Sequence, residues 1–379
     1  MKKILILYAK YGGGHSSAAN AIKNYIDTHY SNTETNVVDC IEYINKILNK
    51  VSTSTYKKIT SATPKLWKKV YRNSEKGILS KISNGSNKFM ARKLYHLVKD
   101  YNPDIIISTH MFSTQMISYL KKKNKVSCTL ATVLTDFAPH EQWLVGCKYG
   151  DYFFVSNDKM KESLINNFGI SKSKVFSTGI PLSENFKKTF DRPKIFEEFG
   201  LKPNKKTILF FGGGEFGLGK SRTVAILKAL TKHLEEYQII AISGKNKKMH
   251  DAFIDIYNEL GCPTALKIYE YITNVPEAMS ISSLVVTKPG GLTSSESLAS
   301  SLPMLIINPI PGQEEENAEF IEQAGAAIWL RPNDDINTVI NNLLNSPDTL
   351  NNMKNNASKI AHVDATKDIC DILLNNTNK

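Results

Sequence analysis

Three glycine-rich turns and one acidic stretch carry the residue types that could do chemistry. The first turn, Gly12-Gly13-Gly14-His15, lies between the apolar run Ile4–Ala9 and a helical stretch beginning near Ser16. Glycines let a ligand approach the backbone, and a helix start offers unpaired N–H groups to an anion or a developing oxyanion. His15 therefore faces whatever binds there. The second turn, Gly212 to Ser221, fits two nucleotide-loop patterns at once: G-x-x-x-x-G-K-[ST] from Gly214 and G-x-G-x-x-G from Gly212. Nucleotide hydrolysis would also need a strand ending in a magnesium-binding Asp. Gln238–Ile242 instead runs into Ser243-Gly244-Lys245, and Leu284–Val286 into Thr287-Lys288-Pro289. The acids near the spacing of a dinucleotide site, Glu235 and Glu236, precede a strand and do not end one. In the third turn Gly290 and Gly291 follow a strand, and Leu292, Thr293 and the residues to Ser295 begin a helix whose amides can hold a phosphate. Glu296 can accept bonds from ribose hydroxyls, while Gln313, Glu314 and Asn317 open a further helix and can bond sugar hydroxyls. The plainer alternative is that these Ser, Thr and acidic residues only cap their helices. Two such segments after consecutive strands favour a sugar-nucleotide pocket.

The elements that must position these groups read as βαβ units, because short apolar runs alternate with helix-period segments. Strands are predicted at Ile4–Ala9, Asn36–Asp39, Asp104–Ser108, Ser127–Val133, Tyr152–Val155 and Lys174–Ser177. The pattern restarts at Thr207–Phe211 and continues with Gln238–Ile242, Ala265–Ile268, Leu284–Val286, Met304–Ile307 and Ala327–Leu330. The class is α/β, with two Rossmann-like halves. Between them Pro181, Pro193 and Pro203 interrupt a stretch with no sustained apolar period, and residues 186–206 are read as a linker.

At 379 residues, 41% hydrophobic and 22% charged, the chain is too apolar for disorder and long enough for two domains. The start MKKILILYAKYGGGH resembles a leader, but its apolar run ends after Ala9, so it reads as a strand. No run approaches the ~18 apolar residues of a spanning helix, so any membrane contact is from the surface. Five scattered cysteines form no metal-ligand or disulfide framework and point to a reducing cytosol. A net charge of +12 favours an anionic partner. That surplus is local: Tyr43 to Lys99 holds 14 Lys or Arg against the single acid Glu75. Pro64 opens a basic amphipathic helix there, with Leu66, Trp67, Val70 and Tyr71 on one face and Lys68 and Lys69 among the flanking cations. It suits an anionic membrane lipid surface; a core-facing helix with a solvated basic face fits the same period. Met90, Leu94, Leu97 and Val98 nearby have core spacing. No recognition-module pattern accompanies the charge, so nucleic acid is not the expected partner.

Six segments carry a resemblance: GGGH at 12–15, TDFAPHEQW at 135–143, STGIP at 177–181, SGKN at 243–246, TKPGGLTSSE at 287–296 and PGQEEENA at 311–318. In these residues and this order the chain resembles glycosyltransferase family 28, and within it the diacylglycerol sugar transferases. The resemblance implies a GT-B fold, two Rossmann-like domains facing across a cleft. Residues 1–185 would bind the acceptor and membrane, 207–362 would bind the UDP-sugar donor, and a helix in 363–379 would return to the first domain. It also implies that Glu296 holds the ribose and that Gln313 and Glu314 hold the hexose. Asn317, with the turn Gly290, Gly291, Leu292 and Thr293, would hold the phosphate region. Gly14, Gly213, Gly214, Ser243, Lys245 and Lys288 complete the expected donor site. His15 takes the place of the acceptor-activating histidine, Asp136 is the other candidate base, and His140 and Trp143 fall on the acceptor side. Close relatives carry a second histidine after the tryptophan, where this chain has Leu144, Val145, Gly146 and Cys147.

The implied activity is inverting transfer of glucose from UDP-glucose to diacylglycerol, and of further glucose to the product, by a peripheral enzyme on the cytoplasmic face of the cell membrane. UDP-galactose fits the same residues. No cofactor and no metal are expected, since the chain has no Asp-x-Asp triplet. Two rivals are N-acetylglucosamine transfer to the peptidoglycan lipid precursor and a sensor that binds UDP-sugar without turnover.

Overall fold

Ile4-Leu5-Ile6-Leu7 is an unbroken apolar run because both of its faces are covered. Ile4 and Ile6 share a cluster with Ala19, Ile22 and Ile26 of helix Gly14–His29 and with Ile369, Cys370 and Leu373 of helix Ala365–Asn375. Leu5 and Leu7 face the other way, into a cluster with Leu94 and Val98 of helix Ile78–Tyr101 and Met116 and Leu120 of helix Met111–Lys122. Each such buried Ile or Leu contributes roughly 1.5–3 kcal/mol, so a charge anywhere in this run would break the sheet. A computed structural model describes residues 1–10, 12–44, 78–213 and 219–375. Gly214 and the predicted membrane residues Leu66, Trp67, Lys68, Lys69, Val70 and Tyr71 lie outside the described residues.

The chain divides into two units: residues 1–184, 311–313 and 362–379, and residues 185–310 with 314–361. The first contains β1 (Lys2–Tyr8), β2 (Thr33–Asp39), β3 (Ile105–Ser108), β4 (Thr129–Val133), β5 (Tyr152–Val155) and β6 (Val175–Ser177). They pair in parallel in the order β2-β1-β3-β4-β5-β6. The second contains β7 (Lys206–Phe211), β8 (Tyr237–Ile242), β9 (Leu266–Tyr269), β10 (Leu284–Thr287), β11 (Met304–Ile306) and β12 (Ala327–Trp329), parallel in the order β12-β11-β10-β7-β8-β9. Counted from its own first strand, the second sheet has the 3-2-1-4-5-6 order of a dinucleotide-binding fold. Every predicted strand is present, with ends displaced by at most three residues.

Ligands of doubly wound sheets bind beyond the carboxyl ends of the strands, where the strand order reverses. In the first sheet that point falls between β1 and β3, in the second between β7 and β10. These are the strands that run into Gly12–His15, Thr109-His110, Gly212-Gly213 and Lys288–Gly291.

The stretch read as a linker carries structure of its own. Asp191 accepts from the Lys194 N–H and caps helix Arg192–Glu198, and Ile195, Phe196 and Phe199 are buried. The Phe199 ring stands edge-on to Tyr269 in the second unit. A helix this short shows too few turns for its apolar period to register in sequence. The C-terminal helix belongs to the first unit: the Thr366 hydroxyl donates to the Leu182 carbonyl at 2.7 Å and accepts the Leu182 N–H at 2.9 Å. Gly179 lets this segment pass, with φ at +90° and a hypothetical Cβ only 2.3 Å from that of His362.

Candidate active site

His15 opens helix Gly14–His29, whose N-cap Gly13 supplies no side chain to the first N–H groups. Its Nδ1 lies 2.7 Å from the Thr109 carbonyl oxygen. A carbonyl only accepts, so Nδ1 carries the proton and Nε2 keeps its lone pair. The Thr135 hydroxyl sits 3.0 Å from the same Nδ1, and the Thr109 hydroxyl donates to the His15 carbonyl at 2.9 Å. Burial pulls the imidazole down to about 4, against a weaker opposing effect of the Thr109 hydrogen bond. The ring is therefore neutral and in its base form at physiological pH.

His110, at the end of β3, meets His15 edge-to-face with ring centroids 4.5 Å apart. Sequence reasoning missed it, although Ser108-Thr109-His110 has the same arrangement as the first glycine turn, a histidine where a parallel strand meets a helix. Burial, reinforced by the neighbouring His15, holds His110 well below the usual histidine range. Trp143, expected on the acceptor or membrane side, is fully buried with Leu134, Leu144 and Phe153. Its ring lies 6.4 Å from both His15 and His110, so it is a wall behind the pair and not a surface contact. His140 is buried as well and caps residues Glu141–Leu144 by accepting the Gln142 N–H. Burial lowers it to about 4. The Asp136 side chain is buried and accepts from the Gln313 amide, both within the first unit. Its backbone carbonyl takes the Ser156 hydroxyl at 2.7 Å.

In the second unit the groups beyond β7 and β10 come together. Gly213 sits at φ +100°, and a Cβ on it would lie 3.5 Å from the Lys288 side chain. Helix Gly291–Ala299 starts at Gly290 with no side-chain cap, leaving its first N–H groups for a ligand. Leu292 and Thr293 in its first turn are half-buried. Glu296 is half-buried one turn on, without a hydrogen-bond partner for its carboxyl among the described residues, and loss of solvent around the carboxyl pushes it up to about 8. Glu314 accepts the Ile310 N–H at 2.6 Å through Oε2, while Oε1 faces the Gly290 turn. Burial raises this carboxyl against the opposing pull of the Lys288 cation and the Ile310 N–H.

Two expected donor contacts have other work. Asn317 is fully buried and donates to the Pro289 carbonyl at 3.0 Å, so it braces the Gly290 turn from behind. Ser243 is also fully buried, its hydroxyl set among the Tyr269 carbonyl, the Gly244 carbonyl and His250 Nδ1. Lys245, two residues on, is exposed. Gly14 belongs to the first unit, in the first turn of the His15 helix.

Two doubly wound parallel units with ligand-type turns at both reversal points define the GT-B class of fold. Solved structures share it: Staphylococcus aureus MnaA with UDP aligns over 100% of this chain and 97% of its own at TM-score 0.69 and 16% identity. Acinetobacter baumannii MurG aligns over 99% and 100% at TM-score 0.64 and 14% identity. Sequence similarity is narrower in meaning. Residues 15–182 match the family described as monogalactosyldiacylglycerol (MGDG) synthase, and 207–369 the glycosyltransferase family 28 C-terminal domain. The processive diacylglycerol beta-glucosyltransferase of Bacillus licheniformis is 32% identical over 95% of this chain and 91% of its own length. The chain belongs to glycosyltransferase family 28, and it is a glycosyltransferase.

Proposed function

We propose that the chain moves glucose from UDP-glucose to diacylglycerol with inversion at the anomeric carbon, at a membrane surface, and extends its own product. The similarity to a diacylglycerol glucosyltransferase over nearly the whole chain supports the substrates. The observation that carries the mechanism is the neutral His15 imidazole, tied at Nδ1 to the Thr109 carbonyl. The acceptor hydroxyl gives its proton to Nε2 while its oxygen attacks the anomeric carbon opposite UDP. The bond from that carbon to the diphosphate breaks, and its electron pair leaves with UDP. A base held down at about 4 takes the proton late, once the attacking oxygen has bonded to carbon and become acidic. Thr109 then stabilises the imidazolium. Charge growing on the diphosphate meets Lys288, Lys245 and the N–H groups that open helix Gly291–Ala299. Glu296 takes the ribose, and Gln313 and Glu314 read the hexose.

Turnover should survive EDTA, because this assignment neutralises the diphosphate with protein groups. Complete loss restored by magnesium would reject it. A second donor is favoured by one observation, the monogalactosyldiacylglycerol synthase description of the family matched by residues 15–182. Radiolabelled UDP-glucose and UDP-galactose offered with diacylglycerol vesicles decide between them by which label enters glycolipid. Label in lipid-linked muropeptide would select the peptidoglycan reading, and bound but unreacted label a sensor.

Among the described residues no helix is long and apolar enough to cross a membrane. Membrane contact is assigned to the basic segment Tyr43–Lys99 at the cytoplasmic face, where helix Ile78–Tyr101 exposes Arg92, His96 and Lys99. At roughly 1 kcal/mol per cation near an anionic surface, sedimentation with anionic liposomes should exceed that with neutral ones at least tenfold in affinity. Equal, weak binding to both would reject the assignment.

A further inference from the structure

We propose that His110 is a positioning residue for His15. The inference rests on the reading of His15 as the base and adds what keeps it in its working orientation. An imidazole can turn about its Cβ–Cγ bond, which puts a ring carbon where each nitrogen was, and only the placement with Nδ1 at the Thr109 carbonyl holds the proton on Nδ1 and leaves Nε2 as the base. The Thr109 carbonyl at 2.7 Å selects that placement, with the Thr135 hydroxyl 3.0 Å from the same nitrogen, so both contacts fall on one edge of the ring. The His110 ring closes the other side at 4.5 Å, edge-to-face, a geometry aromatic pairs favour.

His110 can do this because it cannot itself turn. Its Nδ1 accepts the Phe112 N–H at 3.1 Å, which makes its side chain the cap of helix Met111–Lys122. Its carbonyl receives the Ser108 and Ser113 hydroxyls at 2.9 and 2.8 Å. Phe112 packs on its ring at 4.9 Å, Trp143 lies behind, and only 3% of the residue is exposed. The cap also fixes the proton on His110 Nε2, so a neutral ring and not a second cation stands beside the imidazolium formed on His15. The side chain thus joins a helix start to the ring it braces.

The cap and the ring contact separate by substitution. Asn is a good N-cap and replaces the Nδ1 acceptor with its side-chain oxygen, but has no ring; Phe keeps the ring and loses the acceptor. His110→Asn should melt close to the parent, bind UDP with unchanged affinity in calorimetry, keep the donor KM within about twofold, and lose kcat ~10–10²-fold, below the ~10²–10⁴ of removing an acid–base group outright. His110→Phe should recover part of that kcat at a lower melting temperature. In a double-mutant cycle, His15→Gln with His110→Asn should be little worse than His15→Gln alone, since a residue acting through His15 has nothing left to orient. Additive losses, or parental kcat in a stably folded His110→Asn, would overturn the proposal. Parental kcat in His15→Gln would instead remove the base assignment, and this inference with it.

Discussion

Replacing His15 by Gln lowers kcat by ~10²–10⁴-fold, the usual range for removing a general base, while the KM for UDP-sugar stays within about twofold. The split follows from where the residue sits. His15 belongs to the unit of β1 and β3, and the residues assigned to donor binding beyond β7 and β10 belong to the other. Gln keeps a polar side chain near the Thr109 carbonyl and Thr135 hydroxyl, which limits structural damage, but has no site that takes up a proton near neutral pH. The pH profile carries a second signature. The active form is the neutral ring, so rate rises as pH climbs through about 4 and is flat above it. An acid limb at the ordinary histidine value near 6.5 would show that His15 is not held as described. Near-parental turnover in His15→Gln would move the base to Asp136.

Replacing Glu296 by Ala raises the donor KM by about 10²-fold, from two lost hydrogen bonds to a charged group at roughly 1.5–3 kcal/mol each. Part of that is offset, because the carboxyl must first ionise. Held up to about 8 by burial, it is mostly protonated at pH 7, and ionising it there costs about 1.4 kcal/mol, one unit of pKa. The ionised form is the one that accepts two ribose hydroxyls, so the donor KM should fall with rising pH, by about tenfold between pH 7 and 9. In Glu296→Gln that slope should vanish. A donor KM indifferent to pH in the parent, or a Glu296→Ala variant with parental KM, would remove Glu296 from the donor site.

How much of this was legible in the chain varies from element to element. The strands were, because a strand buried on both faces must be an apolar run, as Ile4–Leu7 is. His15, Glu296 and Glu314 were legible as candidates because glycines and strand ends mark places where doubly wound sheets bind ligands. Asn317, Ser243 and Trp143 looked equally functional, yet they are buried behind the turns and rings they support. Residue type and position in a motif do not tell a wall from a contact; burial and hydrogen-bond partners do. His110 was silent for the converse reason, since one histidine after a short strand carries no pattern until the sheet order sets β3 against β1.

Hydrophobic period and turn chemistry, local properties written residue by residue, thus determined the α/β class, the two sheets and the three glycine-rich turns offered as candidate ligand sites. Pairing order is not local. That β1 lies against β3 and β7 against β10 follows from burying all the apolar surface at once, and it alone brings Thr109 to His15 and Lys288 to Gly213. Those meetings decide tautomer and pKa, so the tertiary structure set the protonation state of His15, which the sequence could name only as a candidate base.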